Sequence, residues 1–107
     1  MVEHTTLDAI FSSLADPTRR DLLRRLRPRE HSVGELAEHY DLTFAAISKH
    51  LQVLERARLV QKRRDGREQK VALAPAGLRQ ADRYLAQYRR MWEKRLDRLG
   101  DFLEANK

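Results

Sequence analysis

The chain has 107 residues, of which 36% are charged, and its net charge at pH 7 is +6. This length fits one domain with a modest core, and the absence of cysteine excludes disulfides, thiolate metal sites and cysteine nucleophiles. No apolar stretch approaches the roughly 20 residues of a membrane span. Met1 to Thr6 also lack the features of a signal peptide, so the chain is expected in the cytoplasm, away from membranes.

The positive charge is concentrated in the middle of the chain. Residues 43–71 hold 8 Lys/Arg against 3 Asp/Glu, whereas residues 1–42 hold 6 against 8 and residues 72–107 hold 8 against 5. Each phosphate that a cation neutralises releases condensed counterions, so a cationic segment favours a polyanionic partner. The excess in the middle segment therefore indicates a localised contact with phosphates.

Two helices are predicted at the start. The first carries apolar residues at helical spacing: Leu7, Ile10, Phe11 and Leu14. Asp16 followed by Pro17 marks the start of the second helix, because Asp caps a helix N-terminus and Pro suits the first helical position. This helix is expected to end near Arg27, because Pro28 disfavours helical geometry in the residue before it.

A pair of short helices follows. Ser32 and Glu35 have the spacing of a capping box, which starts a third helix. Thr43 is a fitting N-cap for a fourth helix that runs to about Ala57. Two short helices joined by roughly three to four residues form a helix-turn-helix.

The fourth helix has two different faces. Its predicted apolar face consists of Phe44, Ile47, Leu51 and Leu54. Its outward face consists of Ala45, Lys49, Gln52 and Arg56, with Ser48 at the flank. Small residues permit close approach to a groove, and an amide and cations reach base edges or phosphates. Any solvated helix face can carry such residues, but a helix-turn-helix and a local charge excess together predict contact with double-stranded DNA.

A β-hairpin is predicted next. Residues 59–73 have a strand-like pattern, and Asp65-Gly66 at the centre is typical of a two-residue turn. This register places Arg64 opposite Arg67. Facing arginines repel unless an anion lies between them, so we interpret the tip as a phosphate contact, with a tip splayed into solvent as the alternative.

Pro75 opens a last helix that is predicted to run to about Phe102 or beyond. Roughly 28 residues at 1.5 Å each span about 40 Å, which is longer than a small core covers, so part of the helix needs a partner. Its apolar residues recur at steps of three and four: Leu78, Ala81, Leu85, Tyr88, Trp92, Leu96, Leu99 and Leu103. The aromatic cluster of Tyr84, Tyr88, Met91 and Trp92 is interpreted as dimer packing, with the wall of a pocket for an unidentified small-molecule effector as the alternative.

Three segments resemble the motifs of ArsR-type winged helix-turn-helix repressors. They are residues 14–20 (LADPTRR), residues 32–37 (SVGELA) and residues 46–54 (AISKHLQVL). The resemblance implies that residues 1–107 form a single winged helix-turn-helix domain, mainly α-helical, with about five helices and a small β-hairpin wing before the last one. It also implies a homodimer, built on the first and last helices, that binds an imperfect palindrome in a promoter and represses transcription until a signal relieves it.

The resemblance also assigns residues. It implies that the DNA-reading positions are Thr43, Phe44, Ala45, Ser48, Lys49 and Gln52, with wing contacts from Arg63, Arg64 and Arg67. The helix projection adds Arg56 to the DNA-binding set. The predicted dimer interface consists of Leu7, Ile10, Phe11, Leu85, Tyr88, Trp92, Leu96 and Leu99. Many relatives have Gln where this chain has Phe44, and the projection turns Phe44 and His50 toward the fold rather than toward DNA.

No metal site, cofactor or catalytic residue is predicted. Metal-sensing members of the family use paired Cys in the third helix or Asp/His sets on the last one, and here residues 33–36 hold no thiol and residues 75–107 no histidine. His4, His31, His39 and His50 do not form a ligand pattern, and we interpret His50 as a hydrogen-bonding residue of the fold. The chain lacks a phosphate-binding glycine loop, a nucleophile elbow and an HExxH motif, so an enzyme is not expected.

Two alternatives remain open at this point. A non-specific or architectural nucleic-acid binder would use the same cations without reading bases. A protein-interaction module would use the long last helix to bind a different chain.

Overall fold

The computed structural model describes residues 6–106. Residues 1–5, which include His4 and most of the segment considered above for a signal peptide, and Lys107 lie outside the described residues. The helices are α1 Thr6–Leu14, α2 Pro17–Leu26, α3 Val33–Ala37, α4 Phe44–Arg56 and α5 Pro75–Ala105. The strands are β1 His31–Ser32, β2 Val60–Asp65 and β3 Glu68–Leu73. The predicted class, mainly helical with a small wing between α4 and α5, is confirmed.

Side-chain caps fix the helix starts at the predicted positions. Asp16 Oδ2 accepts a hydrogen bond from the backbone N–H of Arg19 at 3.0 Å. Ser32 Oγ accepts from Glu35 N at 3.0 Å, and the Glu35 carboxylate accepts from Ser32 N at 3.1 Å. Thr43 Oγ1 accepts from the N–H three residues later, also at 3.0 Å. Each cap satisfies a donor that the first helical turn leaves without an internal partner, so α2, α3 and α4 begin at defined residues.

The sheet has three strands in the part of the chain described, in the order β1-β3-β2, with both pairs antiparallel. β1 was not predicted from the sequence. It pairs His31 with Val71 and Ser32 with Lys70. Two residues are too few to show the alternation that identifies a strand in sequence, and their pairing with β3 is a long-range contact.

The hairpin turn lies one residue later than predicted. Gly66 and Arg67 form the turn, and Arg64 pairs with Gln69, so the predicted pairing of Arg64 with Arg67 is wrong. Gly66 has φ +64° and occupies the first central position, where a type II′ turn needs a positive φ. The resulting shift of the pairing by two residues leaves every side chain on the face predicted for it, because the side-chain period of a strand is two.

The core lies between α1 to α4 and the inner face of the sheet. Its fully buried side chains include Ile10, Leu22, Leu36, Ile47, Leu51, Leu54, Leu59, Val60 and Val71. The burial of two side chains differs from its prediction. Ile10 is 0% exposed and belongs to this core, so it is not available to a dimer interface. Phe44 is 59% exposed, because it begins α4 and the elements that cover Ile47 and Leu51 do not reach the first residue of the helix.

Helix α5 starts packed against the end of α4 and then leaves the core. A Cβ at Gly77 would lie 2.5 Å from the backbone O of Ala57, and Gly77 N donates to Arg58 O at 2.8 Å. Only glycine permits this approach. Beyond Ala81 the residues of α5 are exposed, apart from the half-buried Ala86. None of the described helices has both the length and the apolar character that crossing a membrane requires.

Candidate nucleic-acid interface

Helix α4 is anchored on one face and open on the other. Ile47, Leu51 and Leu54 are fully buried. The predicted DNA-binding residues of this helix and its cap lie away from that row: Thr43, Phe44, Ala45, Lys49, Gln52 and Arg56 are exposed, and Ser48 is half-buried. A helix held by three core side chains presents its outer face in a fixed orientation, which is the arrangement that insertion into a groove requires.

Two cations on this face are free to meet an external anion. Within residues 6–106, neither Lys49 nor Arg56 has a carboxylate within ion-pair distance. The acidic residue beside them, Glu55, lies 3.6 Å from Lys62 Nζ. The lysine of the hairpin thus offsets the one carboxylate of α4, and the outer face of α4 keeps its positive charge.

The position of α4 relative to the first two helices depends on Arg19. Its Nε donates to Ser13 O at 2.7 Å and its Nη2 to Ser12 O at 3.2 Å, which joins α2 to the end of α1. Its Nη1 lies 3.3 Å from His50 Nδ1 in α4, and the same His50 nitrogen lies 3.9 Å from Asp16 Oδ2. A ring that carries its proton on Nε2 accepts from Arg19, so His50 is a hydrogen-bonding residue of the fold, as the sequence predicts.

A second polar cluster joins α2 to Tyr40, in the segment between α3 and α4. Tyr40 Oη donates to Asp21 Oδ2 at 2.5 Å, and Arg25 Nε donates to the same carboxylate oxygen at 3.0 Å. Arg24 Nη2 donates to Asp21 Oδ1 at 2.5 Å. The hydrogen bond from Tyr40, followed by those from the arginines, lowers the pKa of Asp21 to about 2. Burial and the hydrogen bond to Asp21 raise the pKa of Tyr40 to about 12.

This cluster was not predicted from the sequence. Tyr40 is 19 residues away from it, and nothing local to either residue marks the pair. Because the cluster joins α2 to the segment between α3 and α4, it fixes the geometry of the helix-turn-helix.

A cleft separates the wing from the start of α4. Its volume is about 370 Å³. It is lined by Ser32, Val33, Gly34, Phe44, Arg64, Arg67, Glu68 and Gln69. The two arginines make no ion pair within the part of the chain described, and the one carboxylate, that of Glu68, is bound by Lys70 at 3.1 Å. The exposed Phe44 ring and Gln69 belong to this cleft, and sequence analysis had not assigned Gln69 a role.

Arg63 differs from the other two wing arginines. It alternates with Arg64 along β2, so its side chain lies on the opposite face of the hairpin. Its guanidinium forms an ion pair with Glu30 and lies 3.8 Å from Asp65 Oδ2. Pairing with Arg63 lowers the pKa of Glu30, and the pair raises the pKa of Arg63. This partner was not predicted, because it is 33 residues away along the chain.

A stripe of apolar residues runs along the outer part of α5. We call Leu85, Tyr88, Trp92, Leu96, Leu99 and Leu103 the α5 seam. These side chains are between 46% and 61% exposed. Phe11 of α1 lies beside the start of the seam, with its ring centroid 5.7 Å from that of Tyr84, and Leu7 is half-buried. A continuous exposed apolar stripe of this kind marks an interaction surface.

Metal-ligating side chains are not gathered anywhere in residues 6–106. No group of three or more His, Cys, Asp or Glu in that range is arranged to hold a metal ion. The Nδ1 atom of His31 lies 3.1 Å from the backbone O of Arg29.

Comparison with known proteins places these features in a family context. A family profile described as a helix-turn-helix domain matches residues 14–63, from the end of α1 into β2. The chain is 40% identical over 78 residues to the HTH-type transcriptional regulator Rv2034 of Mycobacterium tuberculosis, and the match covers 73% of each protein. It is 33% identical over 60 residues to the transcriptional repressor SdpR of Bacillus subtilis, covering 56% of this chain and 67% of that protein.

The architecture is similar to that of a solved regulator. The crystal structure of an ArsR family transcriptional regulator superposes with a TM-score of 0.77 at 32% sequence identity. The match covers 83% of this chain and 98% of the other, so it includes the helix-turn-helix and the wing as well as part of the flanking helices.

Proposed function

The chain belongs to the ArsR family of DNA-binding transcriptional regulators, and we propose that it is a homodimeric repressor of an imperfect palindrome in a promoter. The relatives are regulators rather than enzymes, and we assign no catalytic residue. In this proposal, residues 1–107 form one DNA-binding domain, which acts on DNA in the cytoplasm. The observation that carries the proposal is the outer face of α4, which is cationic, exposed and held in place by three buried side chains.

The outer face of α4 reads the major groove in this proposal. Gln52 offers an amide that can bond an adenine edge at two points, and Lys49 can donate to guanine. Ala45 and Ser48 let the helix approach the bases closely. Thr43 and Arg56 lie at the two ends of the helix and contact the phosphate backbone.

Phe44 joins this face as an apolar contact. Its exposed ring borders the cleft beside the wing, where a hydrophobic side chain leaves apolar surface in water unless a partner covers it. Apolar side chains recognise the C5-methyl group of thymine in the major groove. We therefore assign Phe44 a thymine contact rather than a place in the core.

The wing contacts the phosphate backbone of the DNA in this proposal. Arg64 and Arg67 border the cleft without ion pairs in the described residues, and their guanidinium groups are suited to bonding phosphate at two points. Arg63 contributes less to DNA binding, because its charge is already balanced by Glu30. This division refines the set of three arginines that the family resemblance implies.

The α5 seam, with Leu7 and Phe11 of α1 beside it, forms the dimer interface. Pairing of two seams by a two-fold axis removes apolar surface from water on both copies at once. It also places two α4 helices on the same side of the duplex, about one DNA turn or ~34 Å apart. The palindrome in the proposed operator mirrors that symmetry.

The test is a fluorescence titration of duplex DNA from upstream of the gene, compared with a scrambled duplex of the same composition. Replacing Gln52 by Ala is expected to reduce the preference for the upstream DNA about tenfold, since one good base contact supplies about 1–3 kcal/mol of discrimination. The matched control is Gln87→Ala, at an exposed site on α5 outside the seam, which should leave the preference unchanged. Equal weakening of both duplexes by Gln52→Ala would instead indicate an architectural binder.

A further inference from the structure

A second cleft, of about 280 Å³, lies away from α4 and the wing turn. Its lining residues come from α1, α2 with its C-cap, the end of β3 and the start of α5. They are Leu14, Arg20, Leu23, Arg24, Arg27, Leu73 and Leu78. None of them belongs to the surface proposed to bind DNA or to the α5 seam.

The floor of this cleft is apolar. Leu14, Leu23 and Leu73 pack against the core cluster but are only partly buried, and Leu78 is 43% exposed. Four leucines from four different elements thus present hydrocarbon surface to one small concavity. A nucleic-acid backbone would gain little from such a floor, whereas an apolar ligand tail would be removed from water.

The rim is cationic, and none of the described residues that line the cleft is acidic. Arg24 is held by Asp21, but among residues 6–106 Arg20 donates only to the backbone O of Leu14, at 2.7 Å. Arg27 makes no ion pair within residues 6–106. The carboxyl end of α2 offsets about half an elementary charge, but the described part of the chain supplies no carboxylate that balances these two guanidinium groups.

We propose that this cleft binds a small organic anion with an apolar tail, such as a medium-chain carboxylate. The leucines would cover the tail, while Arg20 and Arg27 would bond the carboxylate. The volume of about 280 Å³ lies just below the range of about 300–1,000 Å³ for ligand pockets, which favours a short tail.

The experiment uses the full chain with leucine methyl groups labelled for NMR, titrated with octanoate. We expect saturable shifts at Leu14, Leu23, Leu73 and Leu78, at one octanoate per chain. Octanol and octyltrimethylammonium, which keep the tail but lack the anionic head, should bind at least threefold more weakly. Shifts confined to the α5 seam, no saturable shift at all, or equal binding of the three probes would overturn the proposal.

Variants separate the roles of rim and floor. Arg27→Gln should weaken octanoate binding about threefold or more without changing that of octanol, whereas Arg90→Gln, at an exposed site on the outer part of α5, should change neither. Leu78→Glu should abolish octanoate binding, because it places a carboxylate among the rim arginines at a position exposed enough to keep the fold. Retention of full octanoate affinity by both Arg27→Gln and Leu78→Glu would overturn the proposal.

Discussion

The body of the domain, residues 6–81, and the outer part of α5, residues 82–105, carry similar apolar periodicity with opposite outcomes. In the body the apolar rows are buried, as at Leu51, which is 0% exposed. In the outer part of α5 they stay about half exposed, as at Trp92 and Leu96. Periodicity determines which residues share a face, but whether that face is buried depends on which other elements pack against it. The body buries most of its apolar residues, with exceptions such as Phe44 and Leu78, whereas the α5 seam stays exposed and is proposed to pack against a second chain.

The largest effect is expected from a core substitution in the body. Leu51→Ala removes a fully buried side chain beneath the proposed reading face and should lower the free energy of unfolding by about 2–5 kcal/mol. Urea unfolding followed by circular dichroism measures this. The matched seam variant, Leu96→Ala, should shift the midpoint in a way that depends on protein concentration. If both variants lost stability by an amount independent of protein concentration, the proposed difference between body and seam would be contradicted.

The next largest effect concerns the seam itself. A variant with both Trp92→Glu and Leu96→Glu would bury charges in the proposed interface and should sediment as a monomer with normal helical content. Its affinity for operator DNA should fall about 100-fold or more, because two half-sites are no longer linked. Gln87→Glu is the control for added charge on the same helix. A variant that remains dimeric would show that the α5 seam is not the interface.

An intermediate effect is expected from acid, and it should be confined to the body. The pKa of Asp21 is about 2 in the folded chain against an ordinary value of 3.8. The stabilisation from ionised Asp21 is therefore present above about pH 4 and lost as the pH falls through this interval. At pH 7, Asp21→Asn should lower the free energy of unfolding by about 2 kcal/mol, and its difference from the wild type should narrow toward pH 2. Asp41→Asn, at an exposed turn position, is the control, and an equal effect there would contradict the role of the Tyr40 hydrogen bond.

The smallest effect separates the two faces of the wing. Arg64→Gln should weaken operator binding about threefold to fivefold and reduce its salt dependence by the contribution of one phosphate contact. Arg63→Gln should change DNA affinity less, because Arg63 is paired with Glu30. Titrations at several salt concentrations measure both. A larger salt effect for Arg63 than for Arg64 would place the DNA on the other face of the hairpin.

Features set by neighbouring residues could be predicted from the sequence. The caps at Asp16, Ser32 and Thr43 lie where expected, because each cap and its acceptor or donor are three residues apart. The turn could not be predicted in the same way, because Gly66 fits either the second central position of a turn centred on Asp65-Gly66 or the first central position of one centred on Gly66-Arg67. The choice between these two turns sets the register of the hairpin.

Features set by distant residues could not be predicted in this way. The exposure of Phe44 and the burial of Ile10 depend on where neighbouring helices end, which helical periodicity does not contain. The partner of Arg63 is 33 residues away in sequence. The difference between Arg63, which is paired with Glu30, and the other wing arginines therefore needed the structure.

The most direct test of the account is the stoichiometry of the complex with upstream DNA. Sedimentation velocity of a fluorescently labelled duplex, titrated with the wild-type chain, reports how many chains bind and how tightly. We expect two chains per duplex, with a clear preference over a scrambled duplex and weakening as salt is raised. One chain per duplex, or equal affinity for the scrambled sequence, would contradict the proposal that two bodies joined by the α5 seam read a palindrome.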